Sequence, residues 1–192
     1  MESIEQTWNG TVAGGNRVTA TVSRNGDLVH RMYLEHSITN DHNLLANHGN
    51  GLVADVELEI GGQRIDKHYG EWMHLWAELT LASGKNDALE AMIDNATANA
   101  KTVTVPLFFY FCRNPGLALP LIALQYHEVK VIVEFRALAD VKIGSAATAT
   151  LGDTSLWVDY VYLDTDERRR FAQVSHEYLI EQLQYSEETG AV

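Results

Sequence analysis

The feature that most constrains this chain is a strict two-residue alternation. From 128 to 135 it reads EVKVIVEF, with Val129, Val131, Val133 and Phe135 on one side and Glu128, Lys130 and Glu134 on the other. Successive side chains of an extended strand point to opposite faces, so this pattern buries one face and wets the other only as a β-strand. The period recurs at 18–23, where Val18, Ala20 and Val22 oppose Thr19, Thr21 and Ser23, and at 55–60, where Val56, Leu58 and Ile60 alternate with Asp55, Glu57 and Glu59. Turn chemistry separates these runs, at Asn25-Gly26, at Gly61-Gly62 and at Asn114-Pro115-Gly116. Two hairpins are predicted: 18–23 with LVHRMYLEH, which offers Leu28, Met32 and Leu34 to one face, and 56–60 with QRIDKHY at 63–69.

Three further strands complete the pattern. SIEQTW (3–8) adds one, and TVTVPLFFYF (102–111) groups Val103, Val105, Leu107, Phe109 and Phe111. Pro106 cannot donate a ladder hydrogen bond, which assigns that strand to an edge. LWVDYVYL (156–163) is apolar on both faces and belongs in the middle of a sheet. Eight antiparallel strands with turns between most neighbours describe a sandwich or barrel. Two segments depart from the period: Trp72, Leu75, Trp76 and Leu79 repeat at helical spacing, as do Leu89, Met92, Ile93 and Ala96 behind Asn86 and Asp87. They form one helical excursion between the sixth and seventh strands, with these apolar stripes as the buried faces. GSAATATLGD (144–153) reads as a loop, and DTDERRRFAQ (164–173) as a short helix with Asp at its amino end. No internal repeat or second domain is visible.

Composition narrows the function. A chain of 192 residues hides roughly 70% of its unfolded surface and needs no staples to hold a core. Fourteen basic against 26 acidic residues give a net charge of -12, a field that repels polyanions and argues against direct nucleic-acid binding. The lone Cys112 cannot form an internal disulfide. No apolar run reaches the roughly 18 residues that span a bilayer, and MESIEQTWNG has no signal pattern, so the expectation is a soluble chain of intracellular origin.

A search for reactive constellations yields no catalytic, cofactor-binding or metal-binding assignment. His36, His42 and His48 with Asp41, and His68, Glu71 and His74, have no specific metal spacing, and no H-E-x-x-H, C-x-x-C or H-x-H accompanies them. Cys112, with His127 as its nearest histidine, reads as a core residue. Gly14-Gly15 and Gly61-Gly62 read as turn glycines, and Arg168-Arg169-Arg170 behind Asp164, Asp166 and Glu167 as a salt-bridged surface. The sequons Asn9-Gly10-Thr11 and Asn95-Ala96-Thr97 are short enough to occur by chance. Trp72, Trp76 and Trp157 read as core.

Four longer segments carry a resemblance: SRNGDL (23–28), VELEIGGQRIDKHYGEW (56–72), NPGLALPLIALQYHEVK (114–130) and WVDYVYLDTDERRRFAQVSHEYLIEQLQ (157–184). In this order they resemble the major capsid proteins of nucleocytoplasmic large DNA viruses, phycodnavirus and iridovirus members in particular. The resemblance implies a double jelly roll whose three protomers form a pseudo-hexagonal capsomer of an icosahedral shell over an internal membrane. This chain is similar to the first jelly roll only. In the family's lettering, 3–8 matches strand B, 17–23 C, 28–37 D, 53–60 E, 63–69 F, 102–111 G, 121–136 H and 155–163 I, with the helices between F and G and a sheet order B-I-D-G.

Residues 1–175 are accordingly expected to form one jelly-roll domain and 176–192 a linker-like tail with nothing to bury against; the family's amino-terminal arm and second jelly roll have no counterpart here. The implied role is a non-enzymatic building block of a virion, made in the host cytoplasm. Its expected partners are other capsid copies, as a homotrimer, and minor capsid proteins, with no nucleic acid bound and a membrane near but not entered. Two other readings remain beside it. A carbohydrate-binding sandwich requires exposed, coplanar tryptophans, and a cupin-like metal enzyme requires histidines converging inward.

Overall fold

The computed structural model describes residues 1–39, 47–93, 100–141 and 150–186. Its strands are β1 (Glu2–Gln6), β2 (Trp8–Asn9), β3 (Arg17–Thr21), β4 (Leu28–Thr39), β5 (Val53–Ile60), β6 (Gln63–Tyr69), β7 (Ala100–Pro106), β8 (Leu119–Pro120), β9 (Val129–Phe135) and β10 (Thr150–Val161). Five helices accompany them: α1 (His48–Gly51), α2 (Gly70–Thr80), α3 (Asn86–Ile93), α4 (Tyr110–Arg113) and α5 (Thr165–Gln173). The strands make two antiparallel sheets, ordered β1-β10-β4-β7, with β8 also on β4, and β2-β3-β9-β5-β6. The first is the expected B-I-D-G order.

The core lies between the sheets. Val129, Val131, Val133 and Phe135 of β9 are all buried, and across from them stand Met32, Leu34 and Ile38 of β4 with Leu156, Val158 and Tyr160 of β10. Burying a side chain of this size stabilises the fold by about 1.5–3 kcal/mol, which is why alternation this regular settles each strand's inward face. The doubly apolar strand is central, flanked by β1 and β4, and Pro106 ends the edge strand β7. The hairpin β5–β6 closes from Ile60 to Gln63 through Gly61 and Gly62, both at positive φ (60° and 82°), as a two-residue turn of this kind requires.

The other expected hairpin does not form. β3 belongs to the second sheet and β4 to the first, so residues 22–27 carry the chain across the sandwich. Gly26 is not at positive φ; a Cβ there would stand 2.7 Å from Tyr160 Cβ, so the glycine serves close packing rather than a turn. Among the described residues the eight expected strands appear as ten segments. Strand 3–8 divides at Thr7 into β1 and β2, one in each sheet, and β8 is an additional short pairing. The helical excursion falls between β6 and β7, which are the fifth and sixth of the eight strands expected rather than the sixth and seventh.

Other boundaries shift for physical reasons. The strand expected over 102–111 stops at Pro106 and turns into α4, although Leu107, Phe109 and Phe111 are buried as the alternation implied. Residues 121–127 form turns rather than strand, held by the Arg24 guanidinium, which donates to the carbonyls of Leu121 (3.1 Å), His127 (3.0 Å) and Leu124. β10 begins at Thr150, inside the segment expected as loop; 144–149 lies outside the described residues.

Both helical stripes face differently from expectation. α2 buries Gly70, Met73 and Ala77, leaves Trp72 and Trp76 half-buried, and exposes Leu75 (58%) and Leu79 (82%). A side chain at Gly70 would run into the Asn50 and Val53 carbonyl oxygens, so the helix starts in backbone contact with the α1–β5 region and its 70/73/77 face turns inward. In α3, Ile93 is buried, Leu89 half-buried and Met92 43% exposed; Ala96 lies outside the described residues. Residues 174–186, after α5, have no regular structure but find partners. The Leu183 backbone amide donates to Asp66 Oδ1 (3.0 Å), Gln182 Nε2 to the Ile65 carbonyl, and the Tyr185 ring rests 4.5 Å from the Tyr69 ring. This corrects the expectation that 176–192 has nothing to pack against, for 182–185 at least.

Candidate functional site

The histidines diverge. His68 is fully buried, its Nε2 2.7 Å from Asp66 Oδ2 and its ring between Trp72 (4.2 Å) and Phe109 (5.0 Å). Burial alone would raise the Asp66 carboxyl, but the His68 hydrogen bond and charge, with the Leu183 and Lys67 amides, hold it below the ordinary carboxylate value. Glu71 instead pairs with Arg136, and His74 Nδ1 meets Asn47 Nδ2 at 2.5 Å. His36 is buried with Nδ1 3.3 Å from Thr154 Oγ1 and its ring edge-on to Phe135 at 5.6 Å. Burial, and secondarily the neighbouring His48, lowers its pKa to about 4, so it is neutral at neutral pH. His42 and Asp41 lie outside the described residues. Among the described residues no group of three or more His, Cys, Asp or Glu is arranged to hold a metal ion.

The remaining candidates are structural. Burial pushes the Cys112 thiol up to about 12, which keeps it protonated, and His127 stands instead against Gly61 at the β5–β6 turn. Arg168 Nη2 reaches the buried Asp27 carboxylate at 2.8 Å; the same oxygen accepts the Leu163 amide at 2.8 Å, which fixes α5 to the sandwich. Asp164 caps α5 by accepting from the Glu167 amide (2.8 Å). Asn9 is exposed in β2, and Asn95 lies outside the described residues. Trp72 and Trp76 are half-buried and stack on each other, centroids 5.5 Å apart at 21°, with the Arg113 guanidinium 4.3 Å over Trp76. Their faces are taken up by one another and by Arg113, which leaves no flat platform for a sugar ring. Trp157 is half-buried in β10.

An apolar groove of about 770 Å³ lies between the α2–α3 excursion and the β4–β7 edge, lined by Met32, Leu107 and Phe108 and by Trp76, Leu89 and Met92. Arg31, Lys85 and Arg113 stand around it. Its lining offers shape and apolar area, with no set of convergent acids, bases or nucleophiles. Sequence reasoning missed it because the excursion's stripes were expected to be internal; helical spacing was the available signal, but spacing does not say which way a helix faces.

A family model described as the major capsid protein N-terminus matches residues 1–164. The major capsid protein of Pyramimonas orientalis virus is 54% identical over 204 residues, spanning 100% of this chain and 51% of that protein. That of Paramecium bursaria Chlorella virus 1 is 46% identical over 208 residues, spanning 97% and 45%. Among solved structures, the crystal structure of PBCV-1 VP54, fitted into a reconstruction of the virophage Sputnik, superposes with a TM-score of 0.85 at 45% identity, covering 95% of this chain and 47% of that one. The Faustovirus major capsid protein shares the fold, with a TM-score of 0.68 at 9% identity. The sandwich is thus a jelly roll of the viral capsid class. The chain belongs to the major capsid protein N-terminus family of large DNA viruses, a family of structural proteins rather than enzymes. It spans about half the length of the relatives it matches.

Proposed function

We propose that this chain is a jelly-roll building block of the icosahedral shell of a large DNA virus, acting through its surfaces and without catalysis. The observation that carries the reading is the superposition of 95% of the chain on a capsid protein with a TM-score of 0.85 at 45% identity. Residues 1–175 act as the shell domain and 176–192 as the linker leading away from it. Its partners are other capsid copies, in the trimeric arrangement of the family, together with minor capsid proteins. The protein is made in the host cytoplasm and resides in the virion near an internal membrane. No helix among the described residues is long and apolar enough to cross a membrane, and the net charge of -12 disfavours contact with the genome.

Peptide mass spectrometry of purified virions, with immunogold labelling by an antibody to this chain, tests the reading. Peptides from the chain in virions and label on the shell are expected. Label confined to infected-cell cytosol, with no such peptides in virions, would overturn it.

A further inference from the structure

The groove between the α2–α3 excursion and the β4–β7 edge carries a charge opposite to that of the chain. The sequence has 26 acidic against 14 basic residues, yet Arg31, Lys85 and Arg113 line the groove and, among the described residues, no aspartate or glutamate does. Arg113 is already engaged, its guanidinium 4.3 Å over the Trp76 ring and paired with Glu181. Arg31 and Lys85 are exposed, and among the described residues neither meets a carboxylate. Two free cations beside an apolar concavity are complementary to an anion whose remainder is apolar.

The other lining groups narrow the kind of anion. Met32, Leu89, Met92, Leu107 and Phe108 supply apolar area, and the volume of about 770 Å³ falls within the ~300–1,000 Å³ of sites that hold a small ligand. The groove's neutral polar groups are taken. The Thr80 hydroxyl donates to the Trp76 carbonyl (2.7 Å) and the Tyr33 hydroxyl to Ser3 Oγ (3.2 Å). The Leu107 amide donates to the Met32 carbonyl (2.9 Å), the Phe108 carbonyl accepts from Arg113 Nε (3.2 Å), and Pro106 has no amide hydrogen. A peptide laid here would leave backbone amides without partners, and a sugar its hydroxyls, and burying either is costly. A molecule with one anionic head and a plain hydrocarbon tail needs none of these partners.

We propose that the α2–α3 groove binds a free long-chain carboxylate, one per chain, with its tail against Leu89, Met92 and Phe108 and its head facing Arg31 and Lys85. The inference goes beyond the shell reading and does not depend on it. Every residue that carries it lies between Arg31 and Arg113, within the folded sandwich and its excursion.

Trp76 lines the groove and reports its occupancy, because bromine atoms on an acyl chain quench indole fluorescence only at contact. Dibromostearate with its bromines at mid-chain, titrated from about 0.1 to 30 μM into the delipidated 192-residue chain, should quench saturably at one molecule per chain. Unbrominated stearate should displace it and restore the signal; octadecylamine, of the same length and opposite charge, should need about tenfold more to do so. Arg31→Glu combined with Lys85→Glu reverses the charge facing the head, and Met92→Glu sets a charge against the tail; each variant should weaken binding by about tenfold or more. All three positions are exposed, so melting temperatures should stay at the wild-type value and show that folding is intact. Absent or non-saturating quenching, displacement by octadecylamine as good as by stearate, or variants that bind like wild type would each overturn the proposal. So would a chain that floats with vesicles of anionic phospholipid yet is not quenched by free dibromostearate, since its ligand would then be a bilayer surface.

Discussion

His36 sits where a charge is least tolerated, between Thr154 and Phe135 with His48 as its titratable neighbour, and its pKa lies near 4 in the folded chain against 6.5 for an ordinary histidine. Between those values the unfolded chain binds a proton that the folded chain refuses. Stability contributed by the neutral ring is therefore complete above pH 6.5 and is lost as the pH falls towards 4. At about 1.4 kcal/mol per pKa unit, the loss from this group reaches about 3 kcal/mol by pH 4, a large part of a typical domain's 5–15 kcal/mol. His36→Gln removes the titration while keeping a polar side chain near Thr154. Urea unfolding of both proteins from pH 7.5 to 4 should give a wild-type curve that falls about 3 kcal/mol further than the variant's, all other groups being shared. NMR of the His36 ring should show no protonation above about pH 5. Parallel stability curves, or a ring titrating near 6.5, would refute the argument.

Other substitutions probe the frame around the excursion. Gly70→Ala places a methyl group against the Asn50 and Val53 carbonyls and should cost about 2 kcal/mol or more, measured as a drop in melting temperature. Asp27→Asn weakens the anchor of Arg168 and the Leu163 amide; a loss of about 1–3 kcal/mol is expected, with faster hydrogen exchange over 165–173 than over β9. Cys112, half-buried on the groove lining with its thiol pushed up to about 12, should react with Ellman's reagent at pH 8 more slowly in the native chain than in urea; equal rates would refute this.

Particular residues show how far the sequence could be read. The alternation of Val129, Val131, Val133 and Phe135 correctly marked a strand and its buried face, because strand geometry alone couples period to face. Pro106 marked an edge because a residue without an amide hydrogen suits an edge strand or a bulge rather than the middle of a ladder. Gly61-Gly62 marked a true hairpin because both positions require positive φ. Asn25-Gly26 carried the same local signal and misled, since a glycine chosen to admit Tyr160 is indistinguishable in sequence from one chosen for a turn. The stripe of Trp72, Leu75, Trp76 and Leu79 misled likewise. Helical spacing shows which residues share a face, and the tight approach of Gly70 to Asn50 and Val53 is what turned that face outward.

What the sequence determined by itself was therefore local: where strands run, which side of each is apolar, where the chain can reverse, and the lack of any spaced motif for metal or nucleophile. Beyond the β5–β6 hairpin, local signals do not say which strand lies beside which; the tertiary structure decides that, and with it every pairing that joins distant residues. Ser3 meets Asp159 across 156 positions, and Asp66 joins His68 to the returning amide of Leu183. Such contacts follow from closing two sheets face to face, where the free energy depends on the area all strands bury together. No single segment encodes that sum.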